Sequence, residues 1–389
     1  MSELQSPRWD AAALSQQEIT KAIGLLMRRL DVIDAQCGAG FPLFSPDGAR
    51  WKVSSGGSWM GGFWAGCWGL RALVSKSADD RDKALALCSA LSDKLQADTL
   101  NRSMIFWYGP ALCGRWFHDP EAQRLASQAA AAVVSSFDSE LGYIPLGCDM
   151  GGGADGRQRL SVDALAATIQ LLQVNDDEAL DKVARAHTDA LIAACFTASG
   201  ACSAEAQSTQ QQEPQQSILQ ALDRPGGWSR GQAWAMLGLS HAAIRWGSPY
   251  LDYARAACVY WRRSRRTPFP ADRPERSDSL SDPSAALIAA VAILTLSERL
   301  EDGDRWRTYA AQQIAALVRS SYFVRRDSGI APLAGAFKGA CYRTSPAGCE
   351  LVESPWSSFF LLEALCMLAG LIDGKEQGTQ SHSMNQADD

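Results

Sequence analysis

Gly226-Gly227-Trp228-Ser229-Arg230-Gly231-Gln232-Ala233-Trp234 is the stretch on which the fold turns. A loop marked by Pro225 and paired glycines here gives way to a long apolar-periodic segment. Trp228, Ser229 and Arg230 therefore fall at a helix N-terminus, with Trp234 about one turn later. Such a terminus suits an anion, because free backbone N–H groups and the positive end of the helix dipole face outward. A fixed Arg230 adds a bidentate fork for a carboxylate between two indole faces. The plain structural alternative makes Ser229 a cap, Arg230 a solvated side chain and the tryptophans core.

Outward from this block the chain reads as successive helical patterns separated by Gly/Pro/Ser loops. They fall at about 17–29, 62–75, 80–98, 105–116, 119–137, 161–173, 177–194, 229–246, 248–264, 282–299, 303–320 and 357–371. Val, Ile and Thr form no alternating runs, so strands should be few and confined to loop hairpins such as Gly329 to Tyr342. The Gln/Ser/Glu-rich connection 200–227 is long enough to predict a lid or substrate-facing loop. Residues 1–15 read as a polar lead-in, 16–373 as one all-α domain and 374–389 as a disordered tail. No fixed repeat period marks a solenoid, so a dozen paired helices predict a closed toroid, with alternate loops converging on one concave site.

Composition narrows the function. The 389 residues are 47% hydrophobic and 21% charged, with a net charge of −6. That balance argues against a general nucleic-acid or anionic-membrane binder. The one dense basic run, Arg262-Arg263-Ser264-Arg265-Arg266, reads as a solvated helix end. Eleven cysteines without Cys-x-x-Cys spacing read as buried thiols in a reducing cytosol, and no apolar run reaches transmembrane length. The four histidines lack ligand spacing, so no metal is expected, and His187 reads as structural. No cofactor is expected either, since Gly151-Gly152-Gly153 lacks the strand that a phosphate-cradling loop follows.

Several blocks resemble the unsaturated glucuronyl hydrolases of glycoside hydrolase family 88. They are Trp59-Met60-Gly61-Gly62-Phe63-Trp64-Ala65-Gly66, Ser161-Val162-Asp163-Ala164, Trp228 to Trp234, Asp282-Pro283-Ser284-Ala285-Ala286, and Glu353-Ser354 with Trp356 and Phe359 to Leu365. The resemblance implies an (α/α)6 barrel acting on a small anionic sugar; a cytoplasmic monomer or homodimer is expected. It also implies hydration of the C4=C5 enol-ether bond of an unsaturated uronic acid, followed by collapse of the hemiketal. Asp163 matches the acid/base of that reaction, with a pKa raised by apolar surroundings. Trp59, Trp228 and Trp234 would wall the sugar, Arg230 would meet its carboxylate or another acceptor, and Gln220 matches a binding glutamine. Asp163 also has a plain reading, as the N-cap of the helix it precedes.

The departures from the family are specific. A His-Asp pair carrying a second carboxylate falls here on Asn101-Arg102, and three family histidines fall on Ala204, Leu219 and near Arg343. Arg102 and Arg343 are therefore expected to make the pocket more positive and to weaken Asp163 as an acid. Asp149, Asp155 and Asp223 are the candidates to replace the lost carboxylate. Three functions stay open on the residues: an unsaturated-uronyl hydrolase, a repurposed barrel enzyme (lyase, isomerase or cyclase) on another metabolite, and a silent binding protein.

Overall fold

The computed structural model describes residues 12–210, 217–327, 332–346 and 348–372. The chain alternates outer and inner helices. The outer set is α1 (Gln16–Cys37), α3 (Ala78–Ser89), α6 (Pro120–Val134), α8 (Glu178–Cys195), α10 (Tyr250–Ser264) and α12 (Gly303–Arg319). The inner set is α2 (Gly61–Ser75), α4 (Arg102–Phe106) continued through a π-helical turn (Trp107–Ala111) into α5 (Leu112–Phe117), α7 (Leu165–Leu171), α9 (Ser229–Trp246), α11 (Pro283–Ser297) and α13 (Pro355–Leu368).

Side-chain polarity sorts the two rings. Every residue of α11 is buried, whereas α8 buries only the stripe Ala184, His187, Thr188, Leu191 and Cys195. A helix apolar all round must be enclosed by protein, and a one-faced helix must lie outside it. The inner helices close a ring: α2 packs on α4, α4 on α7, α7 on α9, α9 on α11, α11 on α13, and α13 on α2. This is the (α/α)6 barrel expected from the sequence. Close approach between α2 and α4 depends on missing side chains. A Cβ on Gly62 would lie 2.2 Å from the Ile105 carbonyl oxygen, and one on Gly66 would lie 2.4 Å from that of Tyr108.

The elements differ from expectation at a few places. α3 stops at Ser89, and its expected second half is a 3-10 turn, Ser92–Gln96. The helix expected from 161 begins at Leu165, because Ser161 ends strand β3 (Arg159–Ser161). The π turn surrounds Pro110, whose nitrogen cannot donate to an α-helical carbonyl. β1 (Phe41–Phe44) and β2 (Lys52–Ser54) form one hairpin. β3 pairs with β4 (Glu205–Gln210), and β4 with β5 (Ser217–Ala221), so the described part of the 200–227 connection contributes two strands to a small sheet. The hairpin expected from Gly329 lies later, as β6 (Ala340–Ser345) and β7 (Gly348–Val352). Polar exposed residues such as Arg343 and Glu350 hid its alternation. The greater part of the expected lead-in, and the expected tail, fall outside the described residues. No helix among those described is long and apolar enough to cross a membrane.

Candidate active site

One end of the ring collects the N-termini of the inner helices around a cavity of about 220 Å³. Trp59 comes from the turn before α2, Asn101 and Met104 from the start of α4, and Ser161 and Asp163 from the approach to α7. Trp228, Arg230 and Trp234 come from the start of α9, and Trp356 from α13. Loops and hairpins add Leu146, Met150, Gly151, Glu205 and Tyr342. Helix N-termini pointing at one space favour a negatively charged occupant there.

Asp163 lines the cavity from the approach to α7. It precedes α7 in a turn, its N–H donates to Ser161 Oγ (3.4 Å), and α7 has no side-chain cap, so the N-cap reading does not hold. Its Oδ1 is buried without a protein partner. Burial pushes its pKa up to about 7, opposed by the Arg230 charge and assisted by Glu205 and Asp223. A carboxyl group with that proton affinity can both give and take a proton near neutrality.

Arg230 is held from inside the protein. Its Nη1 donates to Asp282 Oδ2 and to the Cys341 carbonyl (2.8 Å), and Asp282, fully buried ahead of α11, also accepts from Ser284 Oγ (2.5 Å). The guanidinium lies 5.1 Å from the Trp228 ring and 5.8 Å from Trp356. It therefore sits between two indoles as expected, with Trp356 in the place expected of Trp234. Both protein bonds use Nη1, which leaves Nη2 without a protein acceptor among the described residues.

The aromatic wall is continuous. Trp59 lies 5.2 Å from Trp356, Trp356 5.3 Å from Tyr342, and Trp234 packs edge-on against Phe360 at 5.4 Å. Trp228 donates from Nε1 to Asp272 Oδ1 (2.8 Å). Ser229 is no cap: its hydroxyl donates to the Ala271 carbonyl (2.6 Å) and accepts from Arg265 Nε (3.0 Å). Arg265 also donates to the Gly226 carbonyl (2.8 Å). The basic run thus contributes a buried clamp on the loop that carries Trp228 and Arg230, a correction to its reading as solvated. Gly226 has φ +72° and abuts Tyr260, where a side chain would not fit.

Three expected site residues lie elsewhere. Arg102 turns away from the cavity and donates to the carbonyls of Thr99, Leu95 and Ala132 and to Ser136 Oγ, so it ties the preceding loop to α6. The guanidinium is drawn to a cluster of carbonyl acceptors, and Asn101 faces the cavity in its stead. Gln220 is exposed on β5, opposite Gln207, outside the cavity lining. Arg343 is exposed on β6, where strand alternation gives the inward position to its neighbour Tyr342. The pocket is therefore not made more positive by Arg102 or Arg343.

Among the proposed replacement acids, Asp155 is exposed and Asp149 accepts from the Asp98 N–H (2.8 Å). Asp223 acts on Asp163 electrostatically, its Oδ1 accepting from the Ala204 N–H (2.8 Å) and its Oδ2 buried without a partner. Sequence reading missed Glu205, Asn101, Tyr342 and Trp356 as lining residues. The signal for Tyr342 and Trp356 was present, since both adjoin blocks already singled out. Glu205 needed the strand register. His187 is structural as expected: it accepts from the Ile144 N–H (3.2 Å), and burial drops its pKa to about 3.

No protein-family model matches the chain. It is 25% identical over 379 residues to an unsaturated chondroitin disaccharide hydrolase of Streptococcus pyogenes serotype M1, covering 90% of this chain and 91% of that one. It is 25% identical over 390 residues to an unsaturated glucuronyl hydrolase of Bacillus sp. (strain GL1), covering 92% and 98%. The crystal structure of unsaturated glucuronyl hydrolase from Bacillus sp. GL1 superposes with a TM-score of 0.78 at 20% identity, over 91% of this chain and 96% of that one.

Proposed function

From its standing as a divergent relative of the unsaturated glucuronyl hydrolases, we propose that this chain is a hydrolase of unsaturated uronyl sugars. The observation that carries the reading is Asp163: a buried, partner-poor carboxyl with a pKa near 7, in an aromatic cavity that also holds Arg230. The cavity is small beside the usual site of a drug-sized ligand, which suits one sugar ring and leaves the leaving group outside.

In this reading the substrate's carboxylate lies toward Arg230 and the helix N-termini, and the ring stacks among Trp59, Trp234 and Trp356. Asp163 gives its proton to C4 of the C4=C5 bond, and the cation at C5 is shared with the ring oxygen. Water adds to C5 and returns a proton to Asp163. The hemiketal opens to a C5 ketone, and the hemiacetal left at C1 expels the glycosidic oxygen as an alcohol. One water is consumed, and one carboxyl group serves as acid and then as base, so the paired carboxylates of ordinary glycosidases are not required. We place the enzyme in the cytoplasm, as a monomer or homodimer.

The test is turnover of a panel of unsaturated uronyl disaccharides, followed by loss of the conjugated double-bond absorbance, with Asp163→Asn as control. Loss that depends on Asp163 supports the reading. Intact absorbance with every member, from folded protein, rejects it in favour of a repurposed barrel enzyme.

A further inference from the structure

Glu205 lines the cavity with Asp163, yet nothing in the sequence pattern singles it out. It opens β4 as the register partner of Ser161 in β3, and Ser161 Oγ accepts from the Asp163 N–H. The small sheet therefore sets Glu205 beside the turn that carries Asp163. Arg159 fixes the side chain: it lies two residues before Ser161, on the same face of β3, and its Nη2 bonds Glu205 Oε2. Arg159 Nη1 reaches back to the Gly152 carbonyl (3.4 Å). Glu205 also donates its N–H to Asp223 Oδ1 (3.4 Å).

The charges that act on Asp163 are Arg230 from α9, Glu205 from β4, and Asp223 from the loop after β5. Arg230 is already compensated by the buried Asp282. Arg159 is ion-paired with Glu205 and is absent from the cavity lining. A fixed negative charge beside a half-buried carboxyl group disfavours its ionisation. We propose that Glu205, held by Arg159, is a positioning residue that keeps the proton on Asp163 in the resting site, and so supplies the second carboxylate that Asn101-Arg102 does not. The proposal deepens the function proposed above, and only its kinetic arm rests on that function.

The experiment titrates the Asp163 carboxyl directly in the full chain by carbon-13 NMR of aspartate-labelled protein, with Asp163→Asn to assign the signal. In Glu205→Gln the midpoint falls by about 0.5–1 pH unit, about three- to tenfold in proton affinity. Glu205→Asp keeps most of the wild-type value. The alkaline limb of kcat/KM against pH moves down with the midpoint, because Asp163 must start protonated. A purely structural Glu205 would lower thermal stability or raise KM and leave the midpoint in place. An unmoved midpoint in folded Glu205→Gln overturns the proposal. A moved midpoint in a protein that turns over no unsaturated uronyl substrate upholds it and sinks the functional reading instead.

Discussion

Replacing Asp163 by Asn should make the protein more stable at alkaline pH while removing its activity. The folded carboxyl titrates at about 7, against 3.8 for an ordinary aspartate, so the native state holds this proton more tightly than the unfolded chain. That preference favours folding in full below about pH 4, and it is lost as pH rises through about 7. A gap of about 3 pH units at about 1.4 kcal/mol each sets a ceiling of about 4 kcal/mol by pH 8. The residue is only partly enclosed, which reduces the expected gain to about 2–3 kcal/mol. The assay is urea unfolding of both proteins at pH 4, 6 and 8. Asp163→Asn should match the wild type at pH 4 and exceed it progressively above that. Parallel stability curves at all three pH values would refute the account of Asp163 as a buried acid.

Other consequences follow from particular contacts. Arg230→Gln should raise KM more than tenfold through loss of the charged donor, and should raise the Asp163 midpoint, because the charge that holds it down is gone; steady-state kinetics and the same NMR titration check both. Arg265→Met should free the loop bearing Trp228 and Arg230, costing about 1–3 kcal/mol in urea and raising KM, since Gly226 O and Ser229 Oγ both lose a buried donor. Arg29→Met should cost about 3–5 kcal/mol, because Glu353 (0% exposed) would keep an uncompensated charge. Glu353 belongs to the Glu-Ser block of the family resemblance, and its pairing with Arg29 gives that block a structural use. Gly62→Ala should destabilise the ring by more than about 1 kcal/mol, or prevent folding, since its Cβ would enter the Ile105 backbone.

The barrel was legible because its two rings differ in polarity: α11 and α13 are apolar all round, and outer helices such as α8 and α10 carry one stripe. The glycines of α2 likewise announced close helix contact. The site was legible where helix starts supply it, at Trp59, Asp163, Trp228, Arg230 and Trp234. Ungapped position matching failed where a side chain had competing partners or a strand chose the face. Arg102 went to backbone carbonyls, Gln220 to the outside of a hairpin, and Arg343 to the face opposite Tyr342. Glu205 was illegible because its place depends on pairing with β3, a contact 44 residues away in register with Ser161.

The most direct measurement is proton magnetic resonance of the products formed from an unsaturated uronyl disaccharide in deuterated water. The account predicts one deuteron at C4, delivered to a single face, appearing at the rate at which the double-bond absorbance is lost and abolished in Asp163→Asn. Release of the leaving sugar with the C4=C5 bond still intact in the first-formed product, or a deuteron placed equally on both faces, would contradict proton delivery by Asp163.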